Sequence, residues 1–211
     1  MNVGVLALQG DFLEHLKAIE RCDHCGVKVR SSDDLALVDC LIIPGGESTT
    51  FGILMERYGL LDAIPDYARQ GMPIFGTCAG AIVLAKRIDH GRADQQLLRL
   101  MDIVMTRNAF GRQVDSFEAE IDIEGIDGEA MRAVFIRAPV VSDVGDGVVK
   151  IASLDDGQAV AVKKGRVLAS SFHPELTTDT RMHSLFVELA REGQIDTLNP
   201  TRNAEEISNT A

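Results

Sequence analysis

Between residues 3 and 75, short apolar runs alternate with stretches of helical periodicity, and this alternation restricts the fold more than any other feature. Val3 to Leu8, Val27 to Val29, Cys40 to Ile43 and Pro73 to Phe75 have the length and content of strands buried on both faces. Asp11 stands at a helix-cap position, and Phe12, Leu16 and Ile19 share one face of the helix after it. Two further helices are expected, from about Thr49 to Tyr58 and from about Leu61 to Gln70, stopped by Gly59 and Gly71. Strand and helix in turn argue for an α/β fold, a parallel sheet covered by helices.

The second half has a different rhythm. Met101 to Thr106, Phe117 to Ile123, Val134 to Ile136, Val148 to Ser153, Ala159 to Lys163 and Val167 to Ser171 all read as strands. Asp155-Asp156-Gly157 and Lys164-Gly165 suit hairpin turns, so antiparallel pairs join the sheet. A last helix is expected over Thr180 to Ala190, and from Glu192 the chain turns polar and aperiodic. Residues 1–191 therefore read as a single domain and 192–211 as a polar, flexible tail. With 211 residues and 45% apolar content, the chain can bury a sizeable core. A net charge of −11 argues against nucleic acid or an anionic membrane as partner. No apolar stretch is long enough to span a bilayer, and the first residues do not read as a signal peptide. Cys22, Cys25, Cys40 and Cys78 are accordingly expected to be reduced thiols in the cytoplasm.

Gly76-Thr-Cys-Ala-Gly80 carries the chemistry. A glycine, a variable residue, a nucleophile, a variable residue and a second glycine between strand and helix form a nucleophile elbow, which lifts the central side chain above the sheet edge. Here that side chain is Cys78, placed where the positive end of a helix favours a thiolate, with the Ala79 N–H positioned to stabilise an oxyanion. Alternatively, Cys78 is a small filler where helix and strand pack closely.

A catalytic thiol needs a base. Of five histidines, His15 falls within the first helix and reads as a surface position, His24 lies near that helix's end, and His90 and His183 stand in polar surroundings. His173 follows an apolar strand and begins the sequence His-Pro-Glu. Pro174 keeps the backbone at His173 extended, so Glu175, two residues on, projects to the same side and can orient the imidazole. A solvated polar pair is the competing reading of His173 and Glu175 alone. Together with the elbow they give a Cys–His–Glu triad.

"GTCAG" with a distant "FHPE" resembles the triad signature of the class I glutamine amidotransferases. "VGVLALQGDFLEH", "LIIPGGESTTFG", "RNAFGRQVDSFE" and "FIRAP" narrow the resemblance to the glutaminase subunits of two-part pyridoxal 5′-phosphate synthases, over about residues 2 to 190. The resemblance implies a flavodoxin-like three-layer fold with a mostly parallel central sheet. It implies that Cys78 attacks the side-chain amide of L-glutamine and that His173 protonates the leaving ammonia, then activates the water that cleaves the thioester. It implies, as partner, a PdxS-type (β/α)8-barrel synthase, which receives the ammonia through a shielded path and builds the product. The first helix near Gln9 to His15 and the loops around the site are the expected docking surface. The chain itself is expected to hold no cofactor and no metal. By the same matching, Gly46, Glu47, Ser48, Arg107, Ile136 and Arg137 form the glutamine site. The Gly46 N–H would be the second oxyanion donor, Glu47 would meet the substrate ammonium, and Arg107 and Arg137 would grip the α-carboxylate.

Cys22-Asp-His-Cys25 invites a metal or redox reading, but no second ligand pair of suitable spacing accompanies it, and local helix variation accounts for it. Two other functions stay open at this point: a different cysteine hydrolase on a similar sheet, and a non-catalytic docking protein.

Overall fold

The computed structural model of the chain describes residues 1–89, 91–92, 94–107 and 116–198. In its first part, β1 (Asn2–Leu6), α1 (Phe12–Arg21), β2 (Cys25–Val29), α2 (Ser32–Leu35), β3 (Cys40–Ile43), α3 (Ser48–Arg57), α4 (Leu60–Arg69), β4 (Ile74–Thr77) and α5 (Ala79–Leu84) follow in turn. Next come β5 (Ala85–Asp89), β6 (Met101–Thr106), β7 (Ser116–Ile121), β8 (Met131–Ile136), β9 (Val140–Val144), β10 (Val149–Ser153), β11 (Ala159–Lys164) and β12 (Val167–Ser170). A single 3₁₀ turn, Pro174–Leu176, precedes α6 (Arg181–Leu198).

The central sheet has seven strands in the order β10-β11-β12-β4-β3-β1-β2. From β12 to β2 every neighbouring pair is parallel, while β10 and β11 are antiparallel additions at the other edge. β5, β6 and β9 form a second sheet, and β7 with β8 a third, antiparallel pair. This is the expected α/β architecture. The predicted hairpin turns join β10 to β11 and β11 to β12.

Alternate residues of each central strand feed two separate cores, because side chains on a strand point to opposite faces. Leu41, Ile43 and Ile74 join Phe51, Met55 and Ile64 of α3 and α4 on one face. Cys40, Ile42 and Phe75 join Leu16 and Ile19 of α1 and Met182 and Phe186 of α6 on the other. Helix, sheet and helix make three layers. Phe75 is fully buried, with its ring 5.6 Å from that of Phe186. Phe75→Ala is expected to cost about 3–5 kcal/mol in urea denaturation, through lost apolar burial and the cavity left behind.

Three elements go beyond the sequence-based expectation. α2 is too short for periodicity to show, although Ser31 and Asp34 close a capping box around it. β5 begins directly where α5 ends, so its opening residue reads as part of the helix's apolar run. β9 carries polar residues at Ser142 and Asp143, which hides its alternation. The last helix continues past Ala190 to Leu198, and residues 199–211 lie outside the described residues. No helix among the described residues is long and apolar enough to cross a membrane.

Candidate active site

Parallel strands present their carboxyl ends to one edge of the sheet, and the chemistry gathers there. β4 ends at Thr77, so Cys78 is the first residue beyond the strand. Its φ of 50° and ψ of −105° lie outside the regions an ordinary residue adopts, a strained corner of the kind that persists at functional sites. The corner is held by the Cys78 N–H donating to the Ser170 carbonyl at 2.8 Å and by α5 starting at Ala79. Gly80 is needed because a Cβ there would sit 2.0 Å from the Ile43 carbonyl oxygen.

β12 runs parallel to β4 with Ser170 opposite Thr77. His173, three residues past that register point, is thereby delivered beside Cys78. The His173 N–H donates to the Val134 carbonyl at 2.8 Å, and its Nδ1 lies 2.7 Å from Glu175 Oε1. The predicted pairing of His173 with Glu175 is present, but its cause differs. Pro174 opens a 3₁₀ turn, so Glu175 folds back under the imidazole instead of lying two residues along an extended chain. Glu175 is 3% exposed and lies behind the ring, whereas Cys78 and His173 line the cleft.

That cleft has a volume of about 270 Å³ and is lined by the predicted Gly46, Glu47, Ser48, Arg107, Ile136 and Arg137. Asp11, Ile82 and Pro139 line it as well. Asp11 reads as a helix cap in the sequence, yet its side chain makes no capping bond and stands 3.9 Å from His173 Nδ1. Gly46 has a φ of 149°, which favours glycine, and a Cβ there would meet the Gln9 amide at 2.5 Å. The Gln9 side chain bonds the Glu47 peptide at both ends, accepting from its N–H and donating to its carbonyl, each at 3.2 Å. Arg137 also has a positive φ, 42°, a strained conformation for an arginine beside a cleft.

A family model described as the SNO glutamine amidotransferase family matches residues 5–192. The chain belongs to the SNO glutamine amidotransferase family. Relatives named pyridoxal 5′-phosphate synthase subunit PdxT are 53% identical in Roseiflexus castenholzii, over 90% of this chain and all of that one, and 52% identical in Niallia circulans, over 92% and all. A solved structure titled as a glutamine amidotransferase is 49% identical, with a TM-score of 0.85 over 89% of this chain and 98% of that one. A chain from the structure of PurLQS of Thermotoga maritima, 17% identical, shares the fold alone, with a TM-score of 0.60 over 93% of this chain and 98% of that one.

Electrostatics set the protonation of this amidotransferase site. Burial alone would depress the His173 pKa, but hydrogen bonds with Cys78 and Glu175, and the electrostatic pull of both, override it and raise the value to about 10. Glu175 is pushed up by burial and pulled down further by His15 and by the His173 hydrogen bond, for a net lowering. Glu47 is also desolvated, yet hydrogen bonds from the backbone and hydroxyls of Thr50 and Thr49 bring its carboxyl down to about 2. It caps α3, with Oε2 accepting from the Thr50 N–H at 2.7 Å and Oε1 from Arg107 Nη2 at 2.9 Å. Glu47 and Arg107 are thus already paired with one another beside the cleft.

Two expectations fail. His15 is not a surface residue, and His183 is not in polar surroundings: both are 0% exposed and bonded to each other behind Glu175. The helical period carries the signal, because His15 shares a face with Phe12, Leu16 and Ile19. His90 lies outside the described residues, as do residues 108–115 of the "RNAFGRQVDSFE" motif. All four cysteines are free, and among the described residues the one metal-competent cluster, Asp11, His173 and Glu175, is part of the active site and excludes Cys22 and Cys25.

Proposed function

We propose that the chain is the glutaminase subunit of a pyridoxal 5′-phosphate synthase, hydrolysing L-glutamine to L-glutamate and ammonia. The observation that carries this is the delivery of Cys78 and His173 by two paired neighbouring strands, with Glu175 behind the imidazole. Cys78 sulfur attacks the amide carbon while the imidazole of His173 beside it holds the proton. The tetrahedral oxyanion is met by the Ala79 N–H and, in the working state, by the Gly46 N–H. His173 then protonates the departing nitrogen, and ammonia leaves a glutamyl thioester. Water attacks the thioester as His173 takes its proton, and glutamate departs with the thiol restored. Ser48, Ile136 and Arg137 hold the substrate, with Arg107 and Arg137 presenting donors to its α-carboxylate and Glu47 facing its ammonium group.

Ammonia released into water is protonated and no longer nucleophilic, so the reaction is productive only in a complex. The partner is a PdxS-type (β/α)8-barrel synthase that consumes the ammonia, and this reading is supported by the PdxT relatives at about half identity over nearly their whole length. Every site residue lies within residues 1–191, the span read as the glutaminase domain, with 192–211 as a polar tail. The enzyme works in the cytoplasm, where its four free thiols stay reduced.

Glutamate release from glutamine, measured with and without the synthase, tests the assignment. The expected outcome is turnover raised at least about tenfold by the partner, as when binding assembles a site. Equal turnover in both conditions would remove the coupling, and no turnover in either would remove the activity.

A further inference from the structure

Behind Glu175, on the side away from the cleft, two buried histidines form a chain that the hydrolysis scheme leaves unused. His15 comes from α1 and His183 from α6, and neither is exposed. His15 Nδ1 lies 3.0 Å from His183 Nε2. His15 Nε2 lies 3.1 Å from Thr77 Oγ1 and 3.4 Å from Glu175 Oε2. Because His173 Nδ1 holds Oε1 at 2.7 Å, the carboxylate is clamped between two imidazoles, one facing the cleft and one facing the core.

One arrangement of protons suits this chain. Burial lowers the pKa of His15, and it brings that of His183 down to about 3, so both rings are neutral. A neutral imidazole donates from one nitrogen and accepts at the other. With the His15 proton on Nε2, the N–H is shared between Thr77 Oγ1 and Glu175 Oε2, and Nδ1 accepts from His183 Nε2–H. His183 Nδ1 is then a bare lone pair, and it is indeed a buried atom without a hydrogen-bond partner among the described residues. The opposite tautomers would aim a lone pair at a buried carboxylate and bury an N–H with no acceptor, which is the costlier choice. Among the described residues Oε2 has no hydrogen bond of regular geometry, so the His15 N–H is the donor that its position calls for.

We propose that His15, held in this tautomer by His183, is a positioning residue for glutamine hydrolysis: its Nε2–H secures the Oε2 edge of Glu175 and moderates the carboxylate's pull on the His173 proton. This rests on the assignment of Cys78, His173 and Glu175 as the hydrolytic triad. A carboxylate free to rotate cannot keep Oε1 on Nδ1. A donor at Oε2 also lowers the proton affinity of the His173–Glu175 pair, so His173 surrenders its proton to the leaving nitrogen more readily. Asp11 and Cys78 also face His173, and Arg21 acts on His183, so these groups share in the pH response.

His15→Leu, His15→Gln and His183→Phe, assayed with the synthase and glutamine beside the unaltered chain and Cys78→Ala, test the proposal. His15→Leu is expected to lower kcat roughly 10- to 100-fold, the range for losing a hydrogen bond to a charged group, with KM changed less than about twofold. The His173 imidazole signal, followed by NMR in the full chain, should titrate at higher pH. His15→Gln, which keeps an N–H donor, should recover most of both effects, and His183→Phe should move both in the same direction by less. Folded His15→Leu with unaltered kcat and unmoved titration overturns the proposal. If His15→Leu does not fold, His183→Phe decides, a shifted titration supporting and an unshifted one overturning it. Turnover that survives Cys78→Ala would instead sink the triad assignment, and the NMR titration would still report whether His15 acts on the His173–Glu175 pair.

Discussion

Cys78→Ala reduces glutamate release by at least roughly 10⁴-fold, the scale seen when a nucleophile is removed from a hydrolytic triad. The loss is expected in kcat, because the cleft-lining groups that hold glutamine are untouched. Alanine keeps the Cβ that already tolerates the strained corner, and the N–H bond to Ser170 depends on the backbone alone. Thermal melting should therefore match the parent chain, separating chemistry from folding. Rapid quenching followed by intact-mass measurement should find a glutamyl adduct on the parent chain and none on the variant. Turnover above about one per cent of the parent would show that sulfur is not the nucleophile.

Glu175→Gln is the second large effect, with kcat down roughly 10³- to 10⁴-fold, as when the orienting acid of a triad becomes its amide. The volume is conserved and the side chain is buried, so the change acts on His173 through charge and tautomer. In the parent, the His173 pKa stands near 10 against a reference value of 6.5, so its bound proton stabilises the fold below about pH 6.5, and that contribution is lost as the pH climbs through 10. Without the carboxylate, the desolvation that burial imposes has less to oppose it and the His173 pKa falls. Melting temperature plotted against pH should therefore decline less across the alkaline range in Glu175→Gln than in the parent. Parallel curves would mean that Glu175 does not govern the His173 proton.

The elbow and the His-Pro-Glu motif are legible in the sequence because their signals are local: glycine spacing for one, an apolar strand running into a proline for the other. Strand pairing is not local, and nothing in the sequence alone states that β12 lies against β4. Asp11 is ambiguous because cap residues and active-site acids use the same side chain at the same kind of junction. His15 and His183 escape sequence reading for a different reason. Each falls on the apolar face of its helix, His15 among Phe12, Leu16 and Ile19, and His183 beside Met182 and Phe186. Periodicity places them inside while residue type places them outside, and here periodicity is right. A polar residue at a core position of an amphipathic helix has to find a buried partner, and that requirement is the usable signal.

The place of β12 in the central sheet also has a consequence for synthesis. β4 is translated long before β12, and until the later strand arrives β4 has β3 on one side and bare peptide groups on the other. A nascent chain lacking its final quarter therefore carries a cysteine with no histidine beside it and an open seam in the middle of its sheet. Glutamine is safe from it, but a neighbouring nascent chain can add a strand to the seam. Hydrolytic competence and protection from mispairing arrive in the same event, when the last strand slides into place.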